Sequence, residues 1–566
     1  MPDITLNRFD GGLFMEGRED QIPETAQRRN KGLHPEATTT LKSRNGSLFV
    51  KSLDAHSLFE FNNLRFAGAT TQFYRDGSSV KTGLTGDRLW FAKLPPTLGV
   101  ADSLFVSGGG DLFKVNSSGT VSQWGIDAPT TNPIAAVGAA GVLSGDYQYK
   151  ITFTNTSTGT RSNPNPAAAS VTLSSDKADL SSIPVSSDSQ VDAREIWRTT
   201  SGGASFFLLT TITDNVTTTY TDNDPDTALS GTELPIDNDP PLDTYNGCVG
   251  PHDGRVWWFD INISGQRGRL YYSHAGRMES VSGFIDVSSD DDGVKIAIPW
   301  NGTLYSFTPT GIYQVAGSGT EGIFTSRGIE GAPGTTAPFT VASTSDGIIY
   351  QGQSSIQIFN GVKSEPLKIS PIEGIFNGET LEDITGFTGV VAAVTEKEYI
   401  VSDTNVTLAY NLQKGTWRNV GVGVNALFYE RETGSLQASF DAKVQLLENV
   451  GSVLDDTSPI SIEWKLPTLA MDPDRNAVIR RIFVEADTSS ESLTITMTLD
   501  GVVTTLPLLK TSTRTITCYS LLKAGNRLGL SITGSISNPV EIFRVLYDIY
   551  IPREANAPLQ QQGQQS

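Results

Sequence analysis

Gly311-Ile312-Tyr313-Gln314-Val315-Ala316-Gly317 and Ser355-Ile356-Gln357-Ile358-Phe359-Asn360-Gly361 repeat one pattern, a short apolar strand closed by turn residues. Each follows another short strand, Thr303-Leu304-Tyr305-Ser306-Phe307 in the first case and Ile348-Ile349-Tyr350 in the second. No spacing of 3.6 residues accompanies them, so both read as β-hairpins joined by small polar or glycine turns. The pattern extends outward. Tyr399-Ile400-Val401 precedes Thr407-Leu408-Ala409-Tyr410, and Leu436-Gln437-Ala438 precedes Lys443-Val444-Gln445-Leu446. Towards the N-terminus come Val256-Trp257-Trp258-Phe259 with Leu270-Tyr271-Tyr272, Leu104-Phe105-Val106 with Leu112-Phe113-Lys114-Val115, and Ser47-Leu48-Phe49-Val50 with Leu58-Phe59-Glu60-Phe61. In the second half the hairpins return about every 45–50 residues, a period within the range of β-propeller blades.

The spacing breaks between Val115 and Val256. Alternating stretches there, Tyr147 to Phe153, Ser170 to Leu173, Ala193 to Arg198, Phe206 to Leu209 and Thr218 to Tyr220, predict an immunoglobulin- or fibronectin-like sandwich inserted into the propeller. Prolines at both edges, Pro129 and Pro133 before it and Pro235, Pro240 and Pro241 after it, mark expected hinges. Longer strands at Ile460–Trp464, Val478–Glu485, Leu493–Met497 and Val540–Tyr547 predict a second sandwich. The fold class is therefore all-β: a propeller at 46–128 and 242–447, an insert at 129–241, a C-terminal sandwich at 448–552, an N-terminal arm at 1–45 and a polar, disordered tail at 553–566.

The 566 residues carry 42 Lys and Arg against 62 Asp and Glu, a net charge of −20. That balance opposes a broad basic face for gripping nucleic acid, yet suits a surface past which DNA slides without sticking. Residues 129–241 hold 13 acidic and 5 basic side chains, so −8 of the −20 lies in the insert. Cys248 and Cys518 stand too far apart in the chain to suggest a disulfide framework, and both are expected free and buried. The opening Met1-Pro2-Asp3-Ile4-Thr5 has no secretory pattern, and no apolar run is long enough for a membrane helix, so synthesis and folding in a cytoplasm are expected.

Motifs with chemical content are few. Gly317-Ser318-Gly319-Thr320-Glu321-Gly322 spells a dinucleotide fingerprint, but helix-breaking Gly328, Gly331 and Pro333 follow, so a turn is expected. Asp222, Asp224, Asp226 and Glu233 have positions 1, 3, 5 and 12 of a calcium loop, although Thr227 replaces its glycine and Pro225 interrupts it; they form a weak calcium candidate beside the reading as an acidic linker. Asp290-Asp291-Asp292-Gly293 reads as a solvated turn. Cys248 with His252 supplies too few ligands for a metal. No nucleophile elbow and no repeated sialidase-type box appears, so neither an enzyme nor a cofactor is predicted.

The opening carries a family resemblance. Leu6-Asn7-Arg8-Phe9-Asp10-Gly11-Gly12-Leu13, Ile22-Pro23-Glu24-Thr25-Ala26, Arg29-Asn30 and Ser43-Arg44-Asn45-Gly46-Ser47 resemble, in this order, the start of tail nozzle proteins of short-tailed bacteriophages. Leu270-Tyr271-Tyr272-Ser273-His274-Ala275-Gly276 and the strand pair ending Ile312–Gly317 are similar to later stretches of that family. The resemblance implies a structural virion protein, also described as a tail tubular or packaged-DNA stabilization protein. It would be a ring of six copies below the adaptor ring on the portal, retaining packaged double-stranded DNA and passing it through a lumen without specific binding. It implies contacts to the adaptor, or head-to-tail connector, through Phe9, Gly11, Gly12, Leu13, Arg28, Arg29 and Arg44, and to tail fibres or a tip protein. A receptor-binding, fibre-like adhesin is the alternative.

Overall fold

A computed structural model describes residues 4–6, 8, 27–37, 40–95, 101–317, 323–367, 372–377, 380–381, 384–471 and 477–550. Among them there is no α-helix, only strands and short 3-10 turns, and so no helix long and apolar enough to cross a membrane. The fold is all-β. Among the described residues seven antiparallel groups of four strands have propeller-blade form, six of them as separate sheets and one as part of a larger sheet. Two-residue turns with both residues at positive φ close several hairpins, Asp253-Gly254 (φ 51° and 66°) and Asn301-Gly302 (φ 47° and 76°) among them. This turn matches the right-handed twist of the strands it joins, which is why Asp-Gly and Asn-Gly stand there.

The chain divides into two compact units, residues 59–338 and residues 1–58 with 339–566. The first holds blade 1 (from Ser57–Phe61 to Ser78–Thr82), blade 2 (Trp90–Leu94 to Val121–Gln123), blade 3 (Tyr245–His252 to Arg277–Asp286) and blade 4 (Ile296–Trp300 to Phe324–Gly328). Neighbouring blades share cores. Phe66 and Phe73 of blade 1 pack with Leu104, Val106 and Phe113 of blade 2, whose Phe105 joins Trp124, Val256 and Trp258 toward blade 3. Between blades 2 and 3 lies the insert. The two-sheet sandwich expected at 129–241 takes the form of one hydrogen-bonded sheet, in the order Phe206–Ile212, Ala193–Thr199, Ile134–Thr154, Ala169–Ser181, Tyr220–Asp222. Its long first strand changes partner at Tyr149, which faces Ala169 on one side and Arg198 on the other, so two half-sheets share one strand around Tyr147, Tyr149, Ile151, Leu180 and Ile196.

The other unit holds blade 5 (Ala342–Ser343 to Ser364–Pro366), blade 6 (Val391–Val394 to Thr416–Asn419) and blade 7 (Ala426–Glu430, Ser435–Phe440, Lys443–Leu446). The fourth strand of blade 7 is Leu48–Lys51, paired with Lys443–Leu446 from the far end of the chain. The segment before it corrects the expectation of a free arm at 1–45. Arg29–Lys31 runs parallel to the outer strand of blade 6 (Lys31 beside Asn419) and antiparallel to Ile460–Lys465, fusing the blade and the C-terminal domain into a ten-stranded sheet. Leu33–Ala37 and Thr40–Ser43 form a hairpin that pairs with Glu541–Tyr550 in the opposing sheet, and Ile4–Leu6 pairs with that same strand.

Leu33 and Leu41 therefore lie in the core of the C-terminal sandwich, with Ile462, Trp464, Ile482, Ile532 and Tyr547. A separate domain at 448–552 is thus corrected as well: its core is completed by residues from the N-terminus. Gly46 shows how close the fit is, because a Cβ there would stand 2.0 Å from the Leu454 carbonyl oxygen.

Truncation separates this arrangement from a free arm. Removing residues 1–45 should abolish the cooperative thermal transition of the C-terminal sandwich, whereas removing 1–26 should leave it in place. Leu33→Ala should cost about 2–5 kcal/mol, the range for emptying a core leucine site, measured by chemical denaturation.

Candidate functional site

Of the residues that the family resemblance assigns to adaptor contact, Phe9, Gly11, Gly12 and Leu13 lie outside the described residues. The arginines lie in the described segment, Arg28 through a backbone contact and Arg29 and Arg44 through side-chain ion pairs. Arg28 gives its backbone N–H to the Lys465 carbonyl at 2.9 Å. Arg29 pairs with Glu463 at 2.5 Å. Arg44 is buried, with its guanidinium on both carboxylate oxygens of Asp455, one at 2.8 Å, and on the Asn45 carbonyl at 2.9 Å. Arg44 is committed to holding the chain's two ends together and is not available to a partner.

Beside it lies a second buried charge group. Arg418, in the outer strand of blade 6, donates to Glu398 at 2.9 and 2.7 Å and to Glu448 at 2.7 and 2.7 Å. Burial alone would favour protonation of Glu448, but the charge and hydrogen bonds of Arg418, with His34 and Arg44 nearby, hold its carboxyl below its ordinary value of 4.5. Burial likewise opposes charge on Arg418, and the two carboxylates overcome it and raise its affinity for the proton. Two acids around one fork-shaped cation satisfy its donors from both sides. Strands from the blade, the link to the sandwich and the N-terminal segment meet at this network.

In the insert, the calcium-like spacing has a different occupant. Arg198, fully buried, donates to Asp222 at 2.7 Å, to the Asp224 carbonyl at 2.7 Å and to Asp226 at 3.0 Å, while the Tyr149 hydroxyl donates to Asp222 at 2.7 Å. The guanidinium takes the place a metal cation would need, which corrects the calcium candidate. Glu233 is set apart by one strand, bridged to Phe207, whose other edge faces Arg198.

The expected hinges around the insert are also corrected. Glu279, buried in blade 3, accepts from Lys114 of blade 2 at 2.5 Å, from the Gly125 N–H at 3.1 Å and from the Thr160 hydroxyl of the insert at 2.8 Å. Gln190 of the insert donates to the Gly125 carbonyl at 2.7 Å, and Asn163 to Asp239 at 2.6 Å. One carboxylate thus joins two blades and the insert, which belong to the same compact unit.

The remaining motifs resolve locally. Gly317 pairs with Phe324 across a hairpin, so no helix follows the glycine-rich stretch. Asp290 accepts from the Arg267 N–H and Asp292 from Thr310, which makes that acidic run a loop cap. Cys248 is buried among apolar side chains, which pushes its thiol up to about 12, whereas Cys518, expected buried, is exposed.

The sequence offered no warning of an arginine-rich depression on the outer face of the C-terminal sandwich. Arg480 and Arg481 converge on Asp548 at 2.5 and 2.8 Å, and Arg544 and Arg514 on Glu485 at 3.1 and 2.7 Å, beside Phe483, Ile516 and Leu546. The available signal was the pairing register, which sets Arg481 opposite Asp548 and Glu485 opposite Arg544.

No protein-family model and no curated protein matches the chain. Solved structures that align with it include the extracellular domain of a putative one component system from B. thetaiotaomicron (10% identity, 94% of this chain, TM-score 0.27). The chain spans 63% of that domain's length. Others are a family 43 arabinoxylan arabinofuranohydrolase from Bacillus subtilis (12% identity, 89% of this chain and 96% of that one, TM-score 0.17) and an exo-beta-1,3-galactanase from Phanerochaete chrysosporium (10%, 78% and 99%, TM-score 0.16). The presence of glycoside hydrolases here corrects the expectation that excluded an enzyme, and that exclusion no longer stands. At these TM-scores the alignments carry no argument for a shared activity.

Arg418→Met should destabilise the chain by about 3–5 kcal/mol, because it strands two buried carboxylates. Since the Glu448 carboxyl is held below 4.5, the stability it contributes is complete above that value and is lost as the pH falls through its lower folded value. Glu448→Gln should therefore flatten the fall in melting temperature below pH 4.5. Calcium added to the intact chain should leave the melting temperature unchanged.

Proposed function

We propose that the chain is the tail nozzle of a short-tailed bacteriophage. It forms a ring of six copies below the adaptor ring of the virion, holds the packaged DNA and opens the path for its ejection. The observation that carries this reading is the ordered series of motifs in the opening, Leu6 to Leu13, Ile22 to Ala26, Arg29-Asn30 and Ser43 to Ser47. It gains support from the places where the fold uses the later steps. Asn30 lies buried in the strand that joins blade to sandwich, Arg44 grips Asp455, and Gly46 fits against Leu454.

The build also suits a particle that must persist outside a cell. Strands from the two ends of the chain are paired with each other, and buried ion pairs tie strands together without disulfides. With a net charge of −20, those acidic groups that face a lumen repel DNA phosphates and keep the genome from adhering in transit.

Adaptor contact falls to the segment up to Arg28, now that Arg29 and Arg44 are committed internally. Particles assembled with a chain lacking residues 1–26 should show intact adaptor rings without tubes, while the truncated chain keeps its cooperative thermal transition. Electron microscopy of normal particles should place a six-fold tube, labelled by antibody to this chain, on the tail axis. Labelling only on lateral appendages would reject the nozzle reading.

A further inference from the structure

We propose that one side of the C-terminal sandwich, where both of its sheets end, is the surface by which one copy of the chain binds the next. The proposal rests on the ring reading above and names the contact that would build it. Val502–Thr505 ends one sheet and Thr515–Gly525 ends the other. The two edges lie side by side, joined by the Lys523 ammonium on the Thr504 hydroxyl at 2.8 Å. Large apolar side chains crowd this short stretch of chain: Val502 is 65% exposed, Val503 64%, Leu508 58%, Ile516 50% and Leu522 77%.

Exposed edges are normally protected by charge, proline or a covering loop, because their unpaired N–H and C=O groups recruit foreign strands. Here Val502–Thr505 carries no charge, and the one lysine of the neighbouring edge, Lys523, is tethered to Thr504. An apolar patch flanked by two unprotected sheet edges marks a surface that is covered in the working assembly.

The identity of the occupant follows from charge. Ile516 also borders the depression that carries Arg480, Arg481 and Arg544, with Arg514 close by on Glu485. Four arginines meet two carboxylates there, whereas the chain as a whole is at −20, so the rest of a second copy is on balance of the opposite sign. Two copies meeting through this same face would set arginines against arginines. The complementary arrangement is heterologous, each basic edge against an acidic surface of the next copy, and a heterologous contact that closes makes a ring.

The test uses the full chain. Val503→Lys and Leu522→Lys place charge on the two exposed edges, and Val216→Lys does the same at an exposed position in the insert. Sedimentation velocity should show a ring for the normal chain and for Val216→Lys. Val503→Lys and Leu522→Lys should remain monomeric to at least tenfold higher concentration, with unchanged melting temperature. Should either edge variant fail to fold, maleimide labelling of the unmodified chain decides the matter: the exposed Cys518, in the Thr515–Gly525 edge, should lose reactivity at least tenfold on assembly, with buried Cys248 inert throughout. Rings formed equally well by both edge variants, or a Cys518 that stays fully reactive in the ring, would overturn this contact and leave the ring reading standing. A normal chain that forms no ring would overturn both.

Discussion

The grip of Arg44 on Asp455, with the strands on either side of it, is the constraint on which one whole unit of the protein depends. Within about twenty-five residues the N-terminal segment supplies a parallel neighbour to blade 6, a bridge to the C-terminal sandwich, a hairpin for the opposing sheet and the last strand of blade 7. Each of these pairings joins residues far apart in the chain, from Lys31 with Asn419 to Leu41 with Ile542, where the entropy of loop closure is large and must be offset by buried contacts. Leu33 and Leu41 in the sandwich core, and the Arg418 carboxylate network beside them, contribute that offset. Because the contacts are shared among three sheets, loss of the segment is felt in all of them at once.

The hairpins were legible in the sequence. Their short apolar runs and small polar or glycine turns are local signals, and Thr303–Phe307 with Ile312–Gly317, or Ile348–Gln351 with Ile356–Phe359, can be read without knowledge of any partner. The N-terminal strands were not legible. Arg29-Asn30-Lys31 has no apolar residue, and it becomes a strand only because blade 6 and Ile460–Lys465 leave an edge on each side for it. A polar sequence in that position satisfies the backbone of its neighbours, and its polarity made it look like solvent-exposed chain.

The acidic loop after Tyr220, a weak calcium candidate beside its reading as a linker, shows a related effect. Asp222, Asp224 and Asp226 have the spacing of cation ligands, and they do surround a cation, but it is the guanidinium of Arg198, brought in from a different strand. Charge counted along the chain cannot show such neutralisation, because the partner is placed by the sheet. The same holds for Glu279, whose Lys114 and Thr160 partners come from blade 2 and from the insert. In this protein the spacing of like charges marks places where tertiary structure delivers the opposite charge.

Hydrogen exchange on the intact chain tests the central claim, that the N-terminal segment is built into the fold, most directly. The amides of Arg29 to Lys31 and of Ser43, Arg44, Gly46 and Ser47 should exchange as slowly as those of Ile460–Lys465, since they are bonded into the sheets and loops of the same unit. Exchange of these amides within seconds, while Ile460–Lys465 stays protected, would show a free arm and contradict the claim.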